Sequence, residues 1–199
     1  MLVAAIVLAA GTPGSAQPPA ALLPWDGDDT LIEYQVAQLQ AAGVDVIEVV
    51  LGDAAERVIA LVAADNVEPI VNPRWSEGVA GSVRAGAAAV PRDTETAIVV
   101  NVEEPRPAEV YRRLLDEHHA HGTAATRPSF EGTPGAPTVL GRAALAEARN
   151  LIDDAPGLRA IIDRHAGDIR DVPFDSEVVL LRVRSAEDCA HARVVFGLG

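Results

Sequence analysis

Short runs of apolar, β-branched residues alternate along this chain with stretches of helical spacing. Residues 2–8 are continuously apolar, as expected of a strand buried on both faces. A loop rich in Gly and Pro follows from Gly11 to Pro24. Leu31, Tyr34 and Leu39, with polar residues between them, predict a helix over 30–42 that stops at Gly43. The same reading predicts a strand at 44–51, a helix at 54–64, a strand at 67–71 and a small-residue helix at 78–90. A strand at 97–102 comes next, then a helix at 107–120 with Pro107 near its first turn, where a missing N–H costs nothing.

After Gly122 the rhythm changes. Short strands at 126–130 and 138–140 flank a Gly/Pro turn running from Gly132 to Pro137, and helices follow at 142–151 and 157–165. Late strands are predicted at 169–173 and 178–183, and a closing helix at 186–195. Strand–helix alternation at this pace implies right-handed βαβ crossovers. The expected fold is α/β: a three-layer α/β/α sandwich on a Rossmann-like, mixed but mostly parallel sheet. The 199 residues are read as a single domain. Ligands of such sheets sit outside the carboxyl ends of the strands. Four segments are therefore expected to meet at one site: 9–24, 72–82, 101–105 and 182–185.

Charge narrows the partners. A net charge of −13 argues against nucleic acid or an anionic membrane, both of which require a basic surface. All 16 basic residues are Arg, so no Lys amine is available as phosphate clamp, Schiff base or general base. The lone Cys189 cannot form an internal disulfide. His118 and His121 would lie one turn apart on a helix, either sharing a metal or, with His119, forming a polar helix end that runs into Gly122. The opening apolar run lacks a basic n-region and reads as a first strand rather than a signal peptide. With no apolar stretch near the roughly 18–20 residues of a membrane span, a cytoplasmic protein is expected.

The segment Leu8-Ala9-Ala10-Gly11 leads from the first strand into a loop holding Gly14 and Pro18-Pro19. A small-residue turn at a strand end lets backbone N–H groups approach a base or phosphate, although it also serves ordinary tight packing. Further features lie in order behind it: Ala20-Ala21-Leu22-Leu23-Pro24-Trp25, Asn72-Pro73-Arg74-Trp75, then Gly78 and Ser82-Val83-Arg84-Ala85-Gly86. Glu103-Glu104-Pro105, Arg127-Pro128 with Gly132 and Gly135-Ala136-Pro137, then Asp154, Gly157 and Arg159, and Ser185-Ala186-Glu187-Asp188 complete the series. Together these resemble the molybdenum-cofactor nucleotidyltransferases, MobA-like enzymes that join CTP or GTP to molybdopterin, in order over nearly the whole chain.

The resemblance implies a nucleotide-diphospho-sugar transferase type of fold. It implies a reaction in which an acceptor phosphate oxygen attacks the α-phosphate of CTP or GTP and pyrophosphate leaves. It implies Mg2+ as cofactor if the protein is active, with a molybdopterin-like phosphorylated acceptor, and a homodimer or a partner enzyme as candidate assembly. Nucleotide-binding positions carried over are Leu8, Ala9, Ala10, Gly11, Gly14, Asn72, Ser82 and Arg84, and Glu103 is the candidate metal ligand.

Departures from the pattern are concentrated where charge is handled. The family's loop Arg aligns with Ser15, its loop Lys with Ala20 and its second loop Gly with Gln17. The metal-binding Asp of the central strand aligns with Glu103, the His with Ala136, and the late Asp-x-Asp with Arg182-Val183-Arg184. Glu103 either offers oxygens to Mg2+ or, with Glu104, forms a solvated acidic loop. Arg182 and Arg184 would share one strand face, either as an anion site or as surface residues paired with Asp175 or Glu177. No catalytic residue is identified. Three functions stay open: an active nucleotidyltransferase, an impaired relative that binds nucleotide or cofactor or serves a partner enzyme, and a ligand-free dimerising scaffold. The impaired relative is the favoured expectation, because several preorganised charges are lost together.

Overall fold

The computed structural model describes residues 1–11, 19–152 and 156–197. Its strands are β1 (Val3–Ala9), β2 (Pro24–Asp26), β3 (Asp29–Thr30), β4 (Val46–Leu51), β5 (Val67–Val71), β6 (Thr96–Asn101), β7 (Ala125–Phe130), β8 (Thr133–Pro134), β9 (Thr138–Gly141) and β10 (Ile169–Pro173). The helices are α1 (Leu31–Ala41), α2 (Ala55–Ile59), α3 (Val79–Ala89), α4 (Ala108–His121), α5 (Arg142–Ala148), α6 (Leu158–Arg164) and α7 (Ala186–Val195).

The main sheet runs in the order β10-β7-β9-β6-β1-β4-β5. β1 lies inside it, parallel to both β4 and β6, and is covered on both faces, which is why its residues are apolar throughout. β9 is antiparallel to β6 and to β7, so the sheet is mixed but mostly parallel. β8 pairs with the end of β7, and β2 and β3 form a separate hairpin. One face packs against α1, α4 and α7 through Leu31, Val36, Leu114 and Ala192. The other packs against α3, α5 and α6 through Val83, Leu145 and Ile161. This is the expected α/β/α sandwich. No helix among the described residues is long and apolar enough to cross a membrane.

Small residues set the spacing of the second layer. A Cβ at Gly86 of α3 would stand 2.3 Å from Ile6 Cγ2 and 2.9 Å from Val50 Cγ2, so only Gly lets the helix lie this close to β1 and β4. On the first layer, Thr30 caps α1. Its N–H and hydroxyl both donate to the Glu33 carboxylate, at 2.9 and 2.6 Å, in a capping box that fixes where the helix begins.

Three predicted elements differ. The helix expected over 54–64 is only the single turn of α2, because Ala54 sits in the left-handed region (φ 55°) and the chain turns back after Ile59 to bury Val62. The strand expected at 178–183 is a 3-10 turn (Glu177–Val179) followed by irregular chain. Its apolar residues are buried by single contacts to different neighbours rather than by a ladder: Ala136 N donates to Val179 O (3.0 Å) and Val183 N to Glu103 O (2.7 Å). The helix expected over 142–151 stops at Ala148.

A buried acid and two prolines inside strands stand out. Glu48 of β4 is only 3% exposed, lies on the face covered by α3, and is in register with Glu68 of β5. β5 and β10 are the two edges of the sheet, and each contains a proline, Pro69 and Pro173.

Candidate functional site

The parallel strands β1, β4 and β6 end together, and their carboxyl ends floor a crevice of about 550 Å3. β1 delivers Leu8 and Ala9 to it, followed by Ala10 and Gly11, whose backbone is in the left-handed region at φ 95°. Asp53 N donates to Ala10 O at 2.9 Å, so the turn after β1 is tied to the turn after β4. Ala20 lines the crevice from a short 3-10 turn. The other loop positions named from the sequence, Gly14, Ser15 and Gln17, lie outside the described residues, as does Asp154.

Of the remaining sequence-derived positions, Ser82 at the start of α3 lines the crevice. Asn72 stands behind it, 7% exposed, donating from Nδ2 to Ser82 Oγ at 3.1 Å and accepting from the Arg74 N–H at 3.0 Å. Asn72 therefore orients Ser82 rather than meeting the crevice itself. Arg84, one residue-pair further along α3, donates to Leu151 O at 2.6 Å and is not part of the crevice wall.

The central-strand end is built from charge pairs. Arg182 Nη2 lies 2.7 Å from Glu104 Oε1, and Arg184 Nε donates to Glu103 Oε2 at 3.2 Å. Asn101 Nδ2 donates to the other Glu104 oxygen at 2.8 Å. These arginines do not pair with their sequence neighbours Asp175 and Glu177. The irregular path after Val179 carries them across to the loop after β6, where Val183, fully buried, pins the backbone between them.

Arg106 holds this arrangement from inside. Its side chain is 1% exposed, and its guanidinium donates to four carbonyls: Pro105 (2.7 Å), Val179 (2.8 Å), Ala136 (2.9 Å) and Leu181 (3.0 Å). Burial lowers its pKa to about 10, with Tyr111 and Glu104 opposing the change, so it remains charged at neutral pH. It thus joins three chain segments, 105–106, 136 and 179–181, with one planar group.

The donor set does not suit a resident divalent cation. Mg2+ binds through bare carboxylate oxygens and retained waters in near-octahedral geometry. Both Glu104 oxygens are engaged, and each of Glu103 and Glu104 is paired with a guanidinium whose charge repels a cation. Among the described residues no group of three or more His, Cys, Asp or Glu is placed to hold a metal ion. The histidines behave likewise. His118 is hydrogen-bonded with Thr126 (2.9 Å), His119 with Thr96 (3.3 Å), and His121 donates to Glu117 O (2.9 Å). Burial lowers the pKa of His118 to about 4, with His119 adding to the shift, so it is neutral. Cys189 is buried, which raises its thiol pKa and leaves it unreactive.

One crevice residue escaped the sequence reading. Asp53 follows Gly52 at the end of β4, and a glycine and an acid directly after a buried strand was the available signal. Trp75, within the segment expected at the site, lies over the Gly52 backbone and closes one wall. A Cβ at Gly52 would stand 2.3 Å from Trp75 Cγ and 2.6 Å from Ala10 O. Gly52→Ala is expected to cost about 1–2 kcal/mol and to shift the Trp75 fluorescence maximum. Chemical denaturation and emission spectra check both, and an unshifted spectrum would place the indole elsewhere.

The family model for the MobA-like NTP transferase domain matches residues 5–169. Among curated proteins none matches the sequence significantly. Rv0371c from Mycobacterium tuberculosis H37Rv is 26% identical with a TM-score of 0.79, 98% of each chain being covered. A second structure of Rv0371c, in complex with manganese, aligns at 23% identity and TM-score 0.76 over 96% of this chain and 98% of that one. A nucleotidyl transferase from Methanothermobacter shares the fold at TM-score 0.80 and 21% identity, covering 98% of this chain and 97% of its own.

Proposed function

Because this chain belongs to the MobA-like NTP transferase family, we propose that its crevice seats a nucleoside triphosphate, CTP or GTP, and that its capacity for nucleotidyl transfer is reduced. The acceptor in this reading is a molybdopterin-like phosphorylated molecule. Support for seating comes from the crevice itself. The turn at Ala9, Ala10 and Gly11 lies at the carboxyl end of β1 with no side chain beyond Cβ, so a ligand can approach its backbone closely.

The observation that carries the reduced activity is the pairing of Glu103 with Arg184 and of Glu104 with Arg182. In nucleotidyl transfer an acceptor oxygen bonds to the α-phosphorus while the bond to the β-phosphate oxygen breaks. The protein's part is to position the groups and neutralise growing negative charge. Here the chain supplies positioning through the β1 turn and Ser82. Ala20, which lines the crevice, brings no cation where the family resemblance expects a Lys.

Calorimetric titration with CTP, GTP and ATP, paired with a pyrophosphate-release assay, tests this reading. Binding of at least one nucleotide is expected. Turnover is expected to rise, together with affinity, when Ala20→Lys and Ser15→Arg are introduced, by about 100-fold or more if one preorganised charge is recovered in place. Silence with all three nucleotides would overturn the nucleotide site. Pyrophosphate release by the parent protein as fast as by the double variant would overturn the reduced activity.

A further inference from the structure

We infer that Arg182 and Arg184 are the crevice's own counter-charges, and that they receive the phosphates of a nucleoside di- or triphosphate directly, without a bridging divalent cation. The inference rests on the reading that the crevice seats a nucleotide. It deepens that reading by assigning the form of the ligand: the free polyphosphate anion.

Placement is the first argument. Both arginines line the crevice, with side chains 53% and 61% exposed, whereas their partners Glu104 and Glu103 are 7% and 26% exposed. Glu104 is thus withdrawn from the crevice, while Glu103 lines it beside the more exposed Arg184. Each guanidinium carries five N–H donors in a planar fork, and a carboxylate partner occupies one or two of them. The rest face a ligand without the ion pair having to break.

Preorganisation is the second. Val183 N donates to Glu103 O (2.7 Å), Arg184 N donates to Asp188 Oδ2 (2.8 Å), and Arg106 holds the carbonyls of Val179 and Leu181. The backbone bearing both arginines is thus fixed on either side and between them. Charges held in place before the ligand arrives stabilise it without a reorganisation cost.

Electrostatics decides against the cation. A metal at the end of β6 would have to take carboxylate oxygens away from two guanidinium groups and sit beside them. A polyphosphate meets the same two groups with favourable sign. Among the described residues Asp53 is the other carboxylate on the crevice wall besides Glu103. It follows β4, which lies two strands from β6, about 10 Å at the usual strand spacing.

The test is calorimetry with CTP, CDP, CMP and GTP, each in EDTA and in millimolar Mg2+. The expected result is binding in EDTA within about threefold of that in Mg2+, weakening from tri- to monophosphate. The double variant R182A/R184A should lose about 10- to 100-fold in EDTA. Restoring Mg2+ should then recover affinity, because Glu103 and Glu104 have been released. The quadruple variant that adds E103Q and E104Q keeps the charge balance of the parent. It should show the same loss in EDTA with no recovery in Mg2+, which separates ligand contact from a folding defect. Nucleotide bound only with Mg2+ would overturn the inference while leaving the nucleotide site intact. No binding under either condition would overturn the nucleotide site itself.

Discussion

Arg106→Met is expected to lower stability by about 3–5 kcal/mol, seen as a fall of about 10 °C in the melting temperature and a matching shift in the denaturant midpoint. Methionine fills much of the same volume, so the loss comes from the carbonyls of Pro105, Ala136 and Leu181 left without this donor, while that of Val179 keeps only the Ala136 N–H. Those of Pro105, Val179, Ala136 and Leu181 all point at the guanidinium, which is 1% exposed, and water cannot replace it. Arg106→Lys should recover little, because an ammonium has three donors and no planar fork to span the fan of carbonyls. The damage should reach the crevice too, since the chain at 179–184 loses its inner anchor and carries Arg182 and Arg184 with it. A change below about 1 kcal/mol would mean that the fold satisfies these carbonyls in another way.

The second large effect concerns pH. Glu48 is buried on the face of β4 covered by α3, and its Oε2 has no hydrogen-bond partner among the described residues. Burial, with Glu68 beside it adding repulsion, raises its pKa from 4.5 to about 7. The folded state therefore holds this proton more tightly than the unfolded state does. The sign follows: stability from this group is fully present below pH 4.5, is lost as pH rises toward 7, and stays lost above it. The difference amounts to roughly 3 kcal/mol. Glu48→Gln is expected to be more stable than the parent above neutrality and to lack this part of the slope. Urea midpoints of both proteins across about pH 5 to 8 give the comparison, and the difference between the two curves cancels the titration of every other carboxylate. Parallel curves would show that Glu48 reaches solvent.

These two residues mark the limit of what could be read from the sequence. The framework was legible because it is written in periodicity. The apolar run 2–8, the helix stopping at Gly43, and the strands Val67–Val71 and Ile169–Pro173 all come from local pattern and appear within a residue or so of where they were expected. The position of the crevice followed from topology, since parallel strands must end on one side. What failed was long-range. The run containing Val178 and Val183 looked like a strand because it is apolar, but its burial comes from Arg106 and from the loop after β6. Arg182 and Arg184 have acids near them in sequence, yet their partners are about 80 residues away. Asp53 and Trp75 carry no periodic signal at all, and only the fold brings them to Gly11 and Gly52.

The prolines at the margins of the sheet bear on how copies of this chain coexist in a crowded solution. Asn72 N bonds inward to Leu51 O and Phe174 N inward to Ser129 O. By the two-residue alternation of a strand, Glu68 and Ile70 on β5 and Arg170 and Val172 on β10 also aim their N–H groups inward. Pro69 and Pro173 then fall on the outward row, where a neighbouring molecule would seek a donor and finds none. Glu68 beside the first and Arg170 and Asp171 beside the second put charge on the same rims. Both borders of the sheet are thereby blunted against strand-by-strand extension into fibrous aggregates.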